Sequence, residues 1–536
     1  MSNSAMEEFM RHTGKLTRRD FFKGGSAMAS LALLSGTAAA QESPSGALRI
    51  GPDIYQSIGV RPFINGAGTL TVNGGSLELP EVRAAMDAAA QQMVQLDELM
   101  EAVGKRLAEL TGAEWGIVTA GCAAAMTLAT LACVAGGNPD KHVRLPNMDG
   151  LGKDEVIVPK HARNNYDAAI RAVGVRLIEV NNPQELEAAI GPRTAMIYIF
   201  AGPQADNGTP SYDEITRIAR QKNIPVLTDA AAEILTMPNV HLQRGSTMVA
   251  YSGGKQLRGP QCSGLLLGRK DLVSAAWIHS APHHGFARNM KVGKEEIMGA
   301  LAAVEAWVKR DNKAIWQHML DQMNHIAKRV SSIPGITTEA HEPEGLSNRS
   351  PGLNVRWDAA KLGISGQQLA QILDTTDPRI RVGVSRGAQN GISITAFNLK
   401  PGDEKIIADR LHTVLSAPPN LPKQEPPKAP VADLTGVWDV QIEFRAGAGA
   451  HTLSLHQQGG RIQGIHRGEF VERDLSGVID GDTVRLQSRL PERAIGNALS
   501  FTFTGKVEGE KMSGELDMGE YLKARWSAKR HGARQG

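Results

Sequence analysis

Between residues 54 and 414 the chain alternates short runs that are apolar throughout with longer stretches of helical periodicity, and this limits the fold more than any other feature. The runs are Gly116–Ala120, Glu155–Pro159, Arg176–Val180, Ala195–Ala201, Pro225–Asp229, Met248–Ser252 and Gly264–Gly268. Helical stretches such as LPEVRAAMDAAAQQMVQLDELMEAVGKRLAELT lie between or before them. A strand without a polar face must be covered on both sides, as in a mostly parallel sheet held between helices. The pattern therefore predicts an α/β fold with a mostly parallel, seven-stranded sheet over residues 50–325. A long helical run, EEIMGALAAVEAWVKRDNKAIWQHMLDQM, ends that domain, and a smaller α/β subdomain is expected over 326–415.

The texture changes twice. Residues 416–430 hold Pro418, Pro419, Pro422, Pro426, Pro427 and Pro430, which fix φ and remove backbone donors, so this stretch reads as an extended linker. From 431 to 536 short alternating strands are divided by Gly-Gly, Asp-Gly-Asp and Glu-Gly-Glu turns, the pattern of antiparallel hairpins in a β-barrel or sandwich. No cluster of catalytic residue types stands out there, so a binding or packing role is expected. At the other end, residues 1–40 place Arg18 and Arg19 before an apolar stretch (Ala27–Leu34) and the small residues Ala38, Ala39 and Ala40. That order reads as a twin-arginine (Tat) export signal, so the protein is expected in the periplasm or otherwise exported by that route. No later run is long and apolar enough to span a bilayer, and no stable membrane insertion is expected.

A net charge of +3 on 536 residues gives no basic surface for nucleic acid. Three cysteines, Cys122, Cys133 and Cys262, form neither a disulfide framework nor a zinc site. His283 and His284 lack an acidic or thiol partner at ligand spacing, so no metal is expected. The segment around them, His279–Glu296, is polar enough to reach an active site, including that of a neighbouring subunit.

Two residues carry the chemistry. Asp229 ends an apolar strand, and Lys255 follows in a glycine-rich loop after the next strand. Taken singly, Asp229 serves equally as a helix N-cap and Lys255 as a surface lysine. Together they supply what pyridoxal phosphate (PLP) requires: an amine to form an imine with the cofactor, and a carboxylate to keep the pyridine nitrogen protonated. The ends of neighbouring parallel strands bring such residues to one crevice. The turn TAGCAAAMTLA offers Gly121, Cys122 and Ala123 at a helix start, where backbone N–H groups accept a phosphate. Ser252 and Arg258 are further candidate phosphate ligands, and His161 a candidate to stack on the pyridine ring. For a substrate carboxylate, Arg381 is chosen over Arg379 and Arg386; Arg163 and Thr69 complete the candidate substrate contacts.

The segments INGAGTLTVNGGSLELPEV, AELTGAEWGIVTAGCAAAMTLA, KHARNNYDAAIRAVGVRLIEV and SGGKQLRGPQCSGLLLGRKDL resemble the family of L-seryl-tRNA(Sec) selenium transferases and D-glucosaminate-6-phosphate ammonia-lyases. The resemblance covers residues 54–414 and implies the fold-type-I PLP architecture, with Lys255 as the cofactor lysine, Asp229 as the ring-nitrogen aspartate and Gly121, Cys122 and Ala123 as the phosphate turn. It also implies a homodimer or larger homo-oligomer. Two departures stand out: Gly254 occupies a position that is often aspartate in these relatives, and HARNNYDAA replaces a HRNAYDH-like string. The expected activity is that of a lyase acting through Cα-proton removal, with β-elimination and ammonia release from an amino acid or amino sugar acid. A racemase, aldolase or aminotransferase uses the same residues, and a non-catalytic binding protein on this fold is the alternative of another class. Selenium transfer to tRNA fits neither the export signal nor the charge.

Overall fold

The computed structural model describes residues 46–385, 390–419, 427–489 and 499–532. The expected export signal, much of the proline-dense linker and Arg386 lie outside the described residues. Two compact units divide the chain at Pro62. In the first, residues 46–62 turn on themselves: Ser57 accepts from the Arg49 amide, and Arg49 pairs with Asp53 at 2.6 Å.

The second unit begins with a short strand, β1 (Ile64–Gly66), and continues into the large sheet. Its strands are β2 (Trp115–Thr119), β3 (Glu155–Pro159), β4 (Arg176–Val180), β5 (Thr194–Phe200), β6 (Val226–Asp229), β7 (Met248–Ser252) and β8 (Gly264–Gly268). They lie in the order β2-β8-β7-β6-β5-β3-β4. All run parallel except β8, which is antiparallel to both its neighbours. The apolar runs form strands because both faces are buried: Ile117, Val118, Ile197, Ile199, Val249 and Leu265 to Leu267 have no more than 0% exposure. Each such side chain contributes roughly 1.5–3 kcal/mol on leaving water.

Two helical stretches that the periodicity joins are broken in space. The first becomes helices Pro80–Ala90 and Leu96–Thr111, the second starting where Gln95 accepts the Glu98 amide. The second becomes Lys294–Lys309 and Asn312–Val330, because the Asp311 carboxylate caps the amides of Lys313 and Ala314 and starts a new helix.

A second sheet takes β1 back beside the C-terminal part of the fold. Strands β9 (Ile336–His341), β10 (Gly352–Trp357), β11 (Ile380–Val384) and β12 (Gly391–Thr395) give the order β1-β11-β12-β10-β9. Their own core contains Leu353, Val355, Ile380, Ile392 and Ile394.

The C-terminal part is a closed eight-stranded antiparallel barrel. Its strands are β13 (Gly436–Glu443), β14 (Ala448–Gln458), β15 (Arg461–Arg467), β16 (Glu472–Asp480), β17 (Thr483–Arg489), β18 (Phe501–Glu508), β19 (Lys511–Asp517) and β20 (Lys523–Arg530), and β20 pairs with β13. Closure leaves no unpaired edge. Alternate residues such as Trp438, Val440 and Ile442 fill the interior. Among the described residues no helix is long and apolar enough to cross a membrane.

Candidate active site

Parallel strands deliver their C-terminal residues to one edge of the sheet, and the candidate chemistry gathers there. Asp229, the last residue of β6, is 1% exposed. Its Oδ1 accepts the Ala231 amide at 3.0 Å and faces the Cys122 thiol at 3.6 Å. Its Oδ2 accepts the Tyr198 hydroxyl at 3.2 Å. Burial pushes this carboxyl above its ordinary range; the Ala231 amide, the Tyr198 hydroxyl and the charge of Lys255 act against that rise. The same burial, with Asp229 beside it, pushes the Cys122 thiol well up, so this cysteine is a neutral donor and no nucleophile.

Sequence reasoning missed two residues of this cluster. Tyr198 is the hydroxyl-bearing residue of an apolar strand, and it is fully buried. Its oxygen accepts Asn164 Nδ2 at 3.1 Å, so a relay runs from Asn164 through Tyr198 to Asp229. The signal available was a lone phenol in AMIYIFA, and a buried phenol needs a polar partner.

The expected phosphate turn has the geometry of an anion seat. Gly121 precedes helix Cys122–Ala135 with φ 90° and ψ 166°, a region open almost only to glycine. No side chain caps this helix and its first turn has no acidic residue. A Cβ on Gly121 would meet nothing within 4 Å. Uncapped N–H groups at the positive end of a helix, with open space before them, accept an anion. The neighbouring strands close in from the side: a Cβ on Gly264 of β8 would overlap the Gly121–Cys122 peptide, and Ser252 of β7 pairs in register with Gly264. Cys122 turns its thiol to Asp229, which couples the turn to the carboxylate.

Lys255 lies half-buried in the loop after β7, with Nζ 6.0 Å from the centre of the Tyr166 ring. The loop leaves no space beside Gly254: a Cβ there would come within 2.6 Å of Gln261 Cα. The segment Gly75–Leu79 crosses the same loop, Ser76 donating to the Gly254 carbonyl at 2.9 Å and Arg258 Nε to the Leu77 carbonyl at 2.8 Å.

The remaining candidates are placed as follows. His161 Nε2 meets the Pro210 carbonyl at 3.0 Å, and its buried Nδ1 has no partner. Thr69 is half-buried in the loop after β1. Arg163 does not match its expected substrate role: its side chain is 6% exposed and is held by Asp167 at 2.6 Å and by Glu179. Arg381 is likewise engaged, by Asp374 at 2.9 Å and Asn73 at 2.8 Å, and Asp374 also pairs with Arg379. Arg258, the other expected phosphate ligand, spends its Nε on the Leu77 carbonyl. His283 finds an acidic neighbour across the fold, Asp97, at 3.3 Å.

These residues suit PLP. A buried carboxylate beside a lysine, an uncapped helix start and an imidazole nitrogen without a partner form a donor set for a protonated ring nitrogen, a carbonyl carbon and a phosphate.

The comparisons agree with that chemistry. The family model described as "Aminotransferase class-V" matches residues 80–389. A D-glucosaminate-6-phosphate ammonia lyase of Salmonella typhimurium is 29% identical over 373 residues, spanning 68% of this chain and 98% of the relative. A 5'-C-glycyluridine monooxygenase-decarboxylase of a Streptomyces species is 32% identical over 379 residues, spanning 67% and 92%. The solved structure of a D-glucosaminate-6-phosphate ammonia-lyase superposes with a TM-score of 0.62 at 28% identity, covering 68% of this chain and 99% of that one.

Proposed function

The chain belongs to the class-V aminotransferase family and is a PLP-dependent enzyme, and from that premise we propose that it is an exported lyase releasing ammonia from an amino acid or amino sugar acid. The observation that carries the reading is the set of Asp229, Lys255 and the uncapped helix at Gly121 along one sheet edge. The ammonia-lyase relative, matched over nearly its whole length, supports elimination as the outcome.

Bound PLP supplies an electron sink for the charge left when a substrate Cα loses its proton. Asp229 would hold the protonated ring nitrogen, and the Tyr198 hydroxyl and Ala231 amide orient Asp229 and favour its ionised form against the effect of burial. The helix amides at Cys122 and Ala123 hold the phosphate. Lys255 would hold the cofactor and, released from it, is the amine that would take the Cα proton. Elimination also needs a proton for the departing group, and Tyr166, exposed with its ring 6.0 Å from Lys255 Nζ, is the donor this reading assigns. A homo-oligomer and passage through the Tat pathway complete the proposal.

The test is the visible absorbance of purified protein, with borohydride and beside Lys255→Ala, followed by product assay with candidate amino acids. A band that borohydride removes and the variant lacks, with ammonia and a keto acid as products, is expected. Carbon dioxide release without ammonia would move the assignment toward the decarboxylase relative. Racemisation without ammonia would overturn elimination.

A further inference from the structure

The barrel interior is apolar except for one layer. Among the described residues, inward positions along β14 to β17 are leucine, isoleucine, valine or glycine until the end where the longer turns 444–447, 468–471 and 518–522 lie. There, one residue in from the rim, stand His451, His466, Arg473 and Ser488, each at most 9% exposed. His466 and Arg473 face each other across β15 and β16. Three of the four form a chain: His451 Nδ1 meets His466 Nε2 at 2.8 Å, and His466 Nδ1 meets Ser488 Oγ at 2.8 Å.

Arg473 is the anomaly. Its Nη1 donates to the Val471 carbonyl at 3.2 Å and its guanidinium lies 5.0 Å from the Phe501 ring centre. Its buried Nε has no partner, and among the described residues no carboxylate pairs with it. Removing a lone charge from water costs several kcal/mol unless a counter-charge replaces the lost hydration. Leucine or methionine would fill this position without that cost, as Leu475 does at the next inward position of β16. A binding site accounts for the retained charge.

We propose that this layer binds a small carboxylate at the mouth of the barrel. The Nε side of a guanidinium is an edge that grips a carboxylate through paired N–H groups. With Ser488 donating to His466 and His466 to His451, the Nε2–H of His451 is a further donor; neutral imidazoles suit this, and burial holds both below the ordinary histidine range. One cation, with exposed Glu469 acting on the same histidine, matches a monoanion rather than a phosphate dianion. A Cβ on Gly468 would sit 3.1 Å from Arg473 Nη1 and 3.6 Å from His451 Cε1, so the absence of a side chain at that turn keeps the approach clear. Phe470, 93% exposed on the same turn, offers an apolar contact for the rest of the ligand.

The experiment is titration calorimetry on the full-length chain with acetate, benzoate and inorganic phosphate, comparing wild type with Arg473→Met and His451→Phe. Saturable carboxylate binding that weakens at least tenfold in Arg473→Met, and measurably in His451→Phe, is expected. Arg473→Met is also expected to match or exceed wild type in barrel melting temperature without ligand, which a structural role for the arginine would reverse. Carboxylate binding unchanged in both variants, or phosphate binding that weakens in Arg473→Met where carboxylates do not saturate, overturns the proposal.

Discussion

Replacing Tyr198 by phenylalanine removes one oxygen and leaves the packing of β5 intact, so its consequences isolate the hydroxyl. Asp229 Oδ2 then loses its protein donor, while Oδ1 keeps the Ala231 amide and the Cys122 thiol. Asn164 keeps its bond to the Ala162 carbonyl, so no second group is orphaned. A hydrogen bond to a charged group contributes about 1.5–3 kcal/mol, and a shift of one pKa unit is about 1.4 kcal/mol. Asp229 in the variant should therefore titrate higher than in the wild type, its ionised form losing about 1.5–3 kcal/mol of support. The direction follows from burial, which already raises this carboxyl and which the hydroxyl opposes. Its protonated form cannot balance a protonated ring nitrogen. Cofactor retention, followed by absorbance after dialysis across a pH series, should then fail at a higher pH in Tyr198→Phe. An acid limb that coincides with wild type would refute the reasoning and leave Tyr198 a packing residue.

Gly121→Ala should cost about 1–3 kcal/mol, since the residue sits in a backbone region closed to side chains, and should abolish cofactor retention, read by thermal unfolding and absorbance. An unchanged cofactor affinity would remove the phosphate assignment. His466 is pushed down to about 3, chiefly by burial. A folded value below the unfolded one means stability is full above the ordinary imidazole range and falls as acid protonates the unfolded chain first. The barrel should therefore weaken steadily from about pH 6.5 downward, by up to about 1.4 kcal/mol per pH unit for this group. Denaturant midpoints across that range should flatten in His466→Phe. Replacing Arg18 and Arg19 together by lysine should hold the protein in the cytoplasm, as cell fractionation would show; continued export would exclude the Tat route.

The sheet was legible because strands covered on both faces leave no polar phase, and four of the seven, among them Met248–Ser252, agree residue for residue. The reversed direction of β8 was not, since an apolar run reads alike in either direction. Asp229 and Lys255 were legible from chemistry and order along the chain. The relay behind them was hidden for a physical reason: Tyr198 has a ring that belongs in an apolar run, and nothing local says that its hydroxyl ends on a carboxylate one strand away. Arg163 and Arg381 show the opposite limit. A guanidinium in sequence is a candidate for any anion, and only the fold reveals that Asp167 and Asp374 have already met it. The barrel layer combines both lessons. His451 is in phase with Leu453 and Leu455, and Arg473 with Leu475 and Ile479. A charge in the inward phase of a strand is therefore a readable signal, but it becomes a candidate site only when no carboxylate among the described residues pairs with it.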